Sequence, residues 1–178
     1  MKKSILLPVL TILLAAVLLL ALTLGLSGVT NANAQQEHLN ILRILLPGSS
    51  SFTLEPYSGE DENIRSVHKG ETGFVIETVT SGYAGEITLL VGVSSEGSVT
   101  GLVVRDMSET FGLGANALTD TDFLAQFLNV SEEVEIGDGV DALTGATVTS
   151  RAIARGVNSA VAYVTGADIS SGATSWGE

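Results

Sequence analysis

The chain has 178 residues, eight basic and twenty acidic, with a formal net charge of −12 at pH 7, so general electrostatics exclude binding to nucleic acid or to anionic lipid. It contains no cysteine, which excludes iron–sulfur ligation, covalent haem attachment, disulfides and acylation at cysteine within this polypeptide. Two histidines argue against a histidine-built metal site, and after an amino-terminal segment the length suffices for one domain with one core.

Lys2 and Lys3 precede an apolar run from Ile5 to Leu26, broken only by Pro8, Thr11, Thr23 and Gly25. At about 1.5 Å per residue such a run can cross a hydrocarbon core of about 30 Å. Residues 1–30 are therefore expected to form a single transmembrane helix, with the amino-terminal positive charge placing the rest of the chain on the extracytoplasmic side of the cell membrane. A cleaved signal peptide is the competing reading, because Ala32-Asn33-Ala34 resembles a small-x-small cleavage site. No ionisable residue follows Lys3 within the run, so no ion pathway is expected through this chain. Leu39, Leu42 and Leu46 form one stripe of a short helix, Gln35 to Leu46, that ends at Pro47-Gly48. Residues 31–48 are read as a helical connector and 49–166 as the folded domain.

Residues 48 to 72 are rich in Ser, Gly and acids and read as a loop with one irregular strand. Three β-branched runs follow, Phe74 to Val79, Ile87 to Val93 and Val99 to Val104, separated by Ser81-Gly82 and by Ser94 to Gly97. They are expected to form an antiparallel sheet. Asp120 then precedes a short helix over Thr121–Leu128, in which Phe123, Leu124, Phe127 and Leu128 recur at helical spacing. Strands first and helices after predict an α+β domain.

The stretch Asp141-Ala-Leu-Thr144-Gly145-Ala146-Thr147-Val-Thr149-Ser150 joins a hydroxyl-rich loop to an amphipathic segment with Ile153, Val157, Ala160, Val161 and Val164 on one face. A helix is expected from Thr147. Its first turn carries unpaired N–H groups and the positive end of the macrodipole, which suits a phosphate, and Gly145 and Ala146 allow close approach. Arg151 and Arg155 read either as phosphate support or as a solvated helix face. A near-copy, Asp168-Ile-Ser-Ser-Gly-Ala-Thr174, lies in a tail over 167–178 that is expected to be flexible; Thr147 is preferred over Thr174 because only it leads into a helix.

The spacing Asp-x-x-Thr-Gly-Ala-Thr over 141–147 resembles the flavinylation motif of the FMN-binding domains in the G subunits of Rnf electron-transport complexes and the C subunits of sodium-translocating NADH:quinone reductases. Gly82-Tyr83-Ala84-Gly85-Glu86-Ile87, Val91-Gly92-Val93 with Glu96-Gly97, and Ser108-Glu109-Thr110-Phe111-Gly112-Leu113-Gly114 follow the order of the Rnf branch, so the likeness covers about residues 70 to 165 and the apolar amino terminus. The family's second signature usually has His and Pro where Met107 and Phe111 stand, which leaves no titratable group at position 107.

The resemblance implies FMN esterified to Thr147 through its phosphate. Thr144, Gly145, Ala146 and Thr149 would surround the phosphate, and Glu109, Thr110, Gly112, Leu113 and Gly114 would lie against the ring or ribityl chain. Asp141 would serve recognition by a flavin transferase or shape the loop, and Tyr83 reads either as sheet-edge packing or as a flavin-stacking ring. No catalytic side chain is implied, since the flavin carries the redox chemistry. The implied protein is an electron-carrier subunit, partnered by the other membrane subunits of an ion-translocating Rnf-type complex. A stand-alone anchored flavoprotein and a non-redox phosphate-binding module are the alternatives.

Overall fold

The computed structural model describes residues 3–107 and 120–167, apart from the side chains of 3–10 and 22–32. The chain divides into two compact units, Met1–Asn40 and Ile41–Glu178. Helix α1 spans Lys3–Leu45, and in the first unit Ile12, Leu13, Leu14, Val17, Leu18, Leu19 and Leu20 are exposed. Among the described residues no helix is long and apolar enough to cross a membrane. The expected span Ile5–Leu26 falls partly on side chains outside that description.

The second unit is built on one antiparallel sheet in the order β1-β2-β3-β4-β5, comprising β1 Thr53–Glu55, β2 Ile64–Lys69, β3 Gly73–Ser81, β4 Glu86–Ser94 and β5 Val99–Met107. The last three are the predicted strands, each slightly longer than its apolar run. β1 and β2 come from the stretch read as mostly loop. β2 has Ile64 and Val67 as its buried residues, a pattern too sparse to stand out in the sequence.

Both sheet faces are covered, and the period of two along each strand sorts side chains between them. Ile76 of β3 and Leu89, Val91 and Val93 of β4 join one core with Ala152, Ile153, Val157, Ala160 and Val161 of α3, Thr147–Thr165. Val75 and Leu90 join a second core with Leu42, Leu45 and Leu46. The last turn of α1 thus belongs to the domain, where Pro47-Gly48 had marked only its end.

Its seat is a dimple made by glycines. Gly92 and Gly101 are direct partners across β4 and β5. A Cβ on Gly92 would come within 2.1 Å of the Leu45 carbonyl oxygen, and one on Gly101 within 2.8 Å of the Leu45 Cα. Thr100 Oγ1 donates to the same Leu45 carbonyl at 2.6 Å, satisfying a helix-end acceptor that has no intrahelical donor.

The Gly-Ser-Ser-Ser stretch after α1 is an ordered turn. Glu71, in the β2–β3 hairpin, accepts from the backbone N–H groups of Ser50 and Ser51 at 2.9 and 3.2 Å and from their hydroxyls at 3.0 Å each. A hydrogen bond from its own backbone, then the Ser51 hydroxyl and the Ser50 donors, hold its carboxyl down from 4.5 to about 2.

After β5 the described chain resumes at Asp120, whose carboxylate accepts from Phe123 N–H at 2.9 Å and caps α2, Thr121–Ala125. The predicted helix ran three residues further, to Leu128. There the chain continues in turns and pairs with β5, Val99 N–H donating to Val130 O at 2.8 Å and Asn129 N–H to Val99 O at 2.9 Å. Two short pieces, β6 Glu135–Ile136 and β7 Gly139–Val140, pair before the loop that leads into α3.

Candidate functional site

The hydroxyl-rich loop forms a tight turn that hands the chain to α3. Ala146 N–H donates to Leu143 O at 3.0 Å, and Gly145, at the third position of this four-residue turn, has φ +74°. Glycine adopts that conformation without a Cβ penalty. Ser150 locks the turn to the helix: its hydroxyl accepts from Leu143 N–H at 3.0 Å and donates to Ala146 O at 3.0 Å, and the residue is fully buried. Upstream, Asp141 N–H donates to Gln126 Oε1 at 2.8 Å, which ties the start of the motif to the end of α2.

The helix so begun has no cap of its own. Ala146 occupies the N-cap and makes no side-chain capping bond. Among the described residues nothing accepts from the N–H groups of Thr147, Val148 or Thr149. Thr144, Gly145 and Thr147 are exposed, whereas Ala146 and Thr149 are buried. Of the motif's two later threonines, Thr147 alone therefore presents its hydroxyl outward, and Thr149 has its backbone N–H to offer. A hydroxyl beside three unpartnered donors at the positive end of a helix dipole is suited to carry a phosphate.

One end of the sheet lies alongside this helix start. β3 runs along α3 in the opposite sense: Thr78 lies against Gly156, where an added Cβ would meet Thr78 Oγ1 at 2.8 Å, and two residues on, Thr80 Oγ1 donates to Ala152 O at 2.9 Å. The β3–β4 hairpin is consequently directed toward the amino-terminal end of α3. Its tip, Gly82 to Gly85, is closed by Gly82 N–H donating to Gly85 O at 2.8 Å, and Tyr83 stands there 74% exposed. β5 ends at the same edge, Met107 pairing with Ile87.

Arg155 fixes the base of the hairpin. Its Nη2 donates to Ser81 O at 2.7 Å, and partial burial lowers the pKa of its guanidinium. This is a structural tie that neither sequence-based reading of Arg155 anticipated; Arg151 remains on the exposed face. Asn158, further along α3, clamps residue 134: its amide donates to Val134 O at 3.0 Å and accepts from Val134 N–H at 3.1 Å.

Glu109, Thr110, Gly112, Leu113 and Gly114, expected at the ring or ribityl chain, lie outside the described residues, as does the tail copy Asp168–Thr174. Sequence reasoning missed Gln126 and the roles that Ser150 and Arg155 play. Ser150 carried a usable signal, as a serine one turn into a helix can bond back to the carbonyl four residues earlier. The other two act across the fold and carried none.

An α+β domain presenting a phosphate-ready threonine agrees with what the chain is similar to. The FMN-binding domain family matches residues 82–162, from the hairpin tip to the last turns of α3, and FMN is the cofactor of that domain. The G subunit of the proton-translocating ferredoxin:NAD(+) oxidoreductase complex of Clostridium ljungdahlii is 32% identical over 148 residues, 77% of this chain and 79% of the relative. The G subunit of the ion-translocating oxidoreductase complex of Methanosarcina acetivorans is 33% identical over 92% of this chain and 93% of its own length. The Na(+)-translocating counterpart from Acetobacterium woodii is 30% identical over 74% and 72%. The chain is thus a flavoprotein of the FMN-binding class. Within that class it belongs to the G-subunit family of Rnf-type, ion-translocating oxidoreductase complexes.

Proposed function

We propose that this chain is the electron-carrying G subunit of an ion-translocating complex, anchored by its amino-terminal helix, with FMN joined to Thr147 on the extracytoplasmic side. The carrying observation is the uncapped start of α3, where Thr147 is exposed beside unpartnered N–H groups within the segment that matches the FMN-binding family. The likeness to the Methanosarcina acetivorans relative runs over nearly the whole of both chains, which favours a subunit of such a complex over a lone flavoprotein. Exposed aliphatic side chains from Ile12 to Leu20 suit a lipid surface better than water.

The mechanism assigned to the chain's own residues is one of holding and positioning. Thr147 Oγ would hold the cofactor as a phosphoester, equivalent to FMN plus threonine less one water, and the N–H groups of Thr147, Val148 and Thr149 would donate to the remaining phosphate oxygens. Gly145 and Ala146 keep the approach open, and Ser150 maintains the turn. FMN supplies one- and two-electron redox chemistry when bound. A covalent link abolishes cofactor dissociation, an advantage where no cytoplasmic pool can refill the site. Asp141 is assigned to recognition by the flavin transferase, and the segment 109–114 to the flavin's ring side. Donors, acceptors and the ion-conducting path belong to the partner proteins of the complex.

The test is peptide mass spectrometry of the full chain produced with a flavin transferase in a host that exports it. The expected result is an FMN adduct, less one water, on the peptide containing Thr147. An adduct confined to the peptide containing Thr174 would move the attachment to the tail copy, and no adduct on either would overturn covalent attachment.

A further inference from the structure

We propose that Tyr83, at the tip of the β3–β4 hairpin, forms a wall of the flavin site, its phenol ring stacking against the isoalloxazine of the FMN held at Thr147. The proposal rests on the attachment reading above and extends it to the ring, for which the helix start provides only the phosphate end.

Three observations place Tyr83 there. The first is direction: the ties Thr78 to Gly156 and Thr80 to Ala152 run backward along α3 as β3 runs forward. From Ala152 to Thr147 the helix rises about 7.5 Å, while β3 continues past Thr80 only to Ser81 and turns at Gly82 to Gly85, so the hairpin tip lies toward the end of α3 that carries Thr147. The second is fixation, because the Arg155 bond to Ser81 O at 2.7 Å and the Thr80 bond to Ala152 O at 2.9 Å lock the hairpin base to the helix that carries Thr147. The third is exposure: Tyr83 leaves 74% of its surface exposed.

An aromatic ring held outward on a rigid, glycine-flanked turn offers a large apolar face at little entropic cost. The ribityl chain separates the isoalloxazine from the phosphate by several bonds, which suits a wall standing beside the helix start rather than on it. A tyrosine in van der Waals contact also quenches flavin emission: the phenol donates an electron to the photoexcited ring and recovers it on recombination, with no net redox change. Phenylalanine stacks but does not donate, and tryptophan does both.

The experiment compares the full chain, made with a flavin transferase, with Tyr83→Leu, Tyr83→Phe and Tyr83→Trp, after mass spectrometry has verified the adduct on the Thr147 peptide in each. Flavin emission is expected to rise several-fold in Tyr83→Leu and Tyr83→Phe and to stay low in Tyr83→Trp. Quenching by iodide is expected to increase in Tyr83→Leu alone, since the other two variants keep the wall. Thermal midpoints are expected to be unchanged, given the exposure of the side chain. Emission and iodide quenching in Tyr83→Leu equal to the parent's, with the adduct present, would overturn the wall while leaving the attachment standing. An absent adduct in the parent chain would overturn the attachment first and the wall with it.

Discussion

Thr147 is exposed and Ala146, not a hydroxyl residue, occupies the N-cap of α3, so the motif's last threonine is spare as far as folding goes. Thr147→Val is accordingly expected to eliminate the flavin adduct while changing stability by less than about 0.5 kcal/mol, as read by mass spectrometry and a thermal melt. Ser150 is the opposite case. Its buried hydroxyl serves Leu143 N–H and Ala146 O together, and Ser150→Ala leaves Leu143 N–H without its acceptor. That substitution is expected to cost about 1–3 kcal/mol in urea unfolding and to lower flavin loading although the acceptor threonine is intact. The sequence displayed four hydroxyls between 144 and 150 without distinguishing them. Burial separates the two presented outward, Thr144 and Thr147, from Ser150, which holds the turn.

Two elements owe their positions to contacts that residue patterns do not display. The end of α1 lies on a sheet face cleared by Gly92 and Gly101, so Gly92→Ala drives a Cβ toward the Leu45 backbone and is expected to destabilise the domain by about 1–3 kcal/mol, measured as a lower urea midpoint. The β2–β3 hairpin is stapled to the serine turn through Glu71, whose pKa is depressed to about 2 in the folded state. A depressed carboxyl binds fewer protons folded than unfolded, so its contribution is full above the ordinary 4.5 and is lost as pH falls toward about 2. The stability gap between the parent chain and Glu71→Gln is therefore expected to be constant near neutrality and to close between those two values, as followed by thermal melts across pH. The central strands were legible because β-branched runs alternate or fill a buried position at every step. β1 and β2 were not, because strands with few buried residues look like their polar surroundings, and a serine-rich stretch reads as loop until its carboxylate partner is in place.

At the scale of the whole molecule, the second compact unit begins at Ile41 and contains both cores, one under α3 and one under the end of α1. A chain shortened to begin at Gln36 keeps Leu42, Leu45 and Leu46 for the second core. It is expected to retain the fold, to accept flavin on Thr147 when exported, and to appear in the soluble fraction, with the full chain expected in the membrane fraction. Fractionation with flavin absorbance as the readout checks this, and recovery of the shortened chain with the membranes would place the anchor elsewhere. With six basic and twenty acidic residues, a net charge of −14, the shortened chain is expected to have no general affinity for anionic lipid.

By itself the sequence determined the class of fold, the order of its central strands and carboxy-terminal helix, the position at which that helix begins, and the motif that marks its family. Each is a local signal: alternation, helical periodicity, a glycine turn or a short ordered string of residues. Tertiary structure decided which hydroxyls of the motif are exposed and which is buried in the turn, what Arg155 and Asn158 hold, and that a hairpin more than sixty positions upstream is directed toward the end of α3 where Thr147 stands. It also seated the end of the first helix on paired glycines. Those outcomes depend on α3 and the end of α1 packing against the sheet in two separate cores, which brings distant residues into contact, and no spacing along the chain encodes that distance.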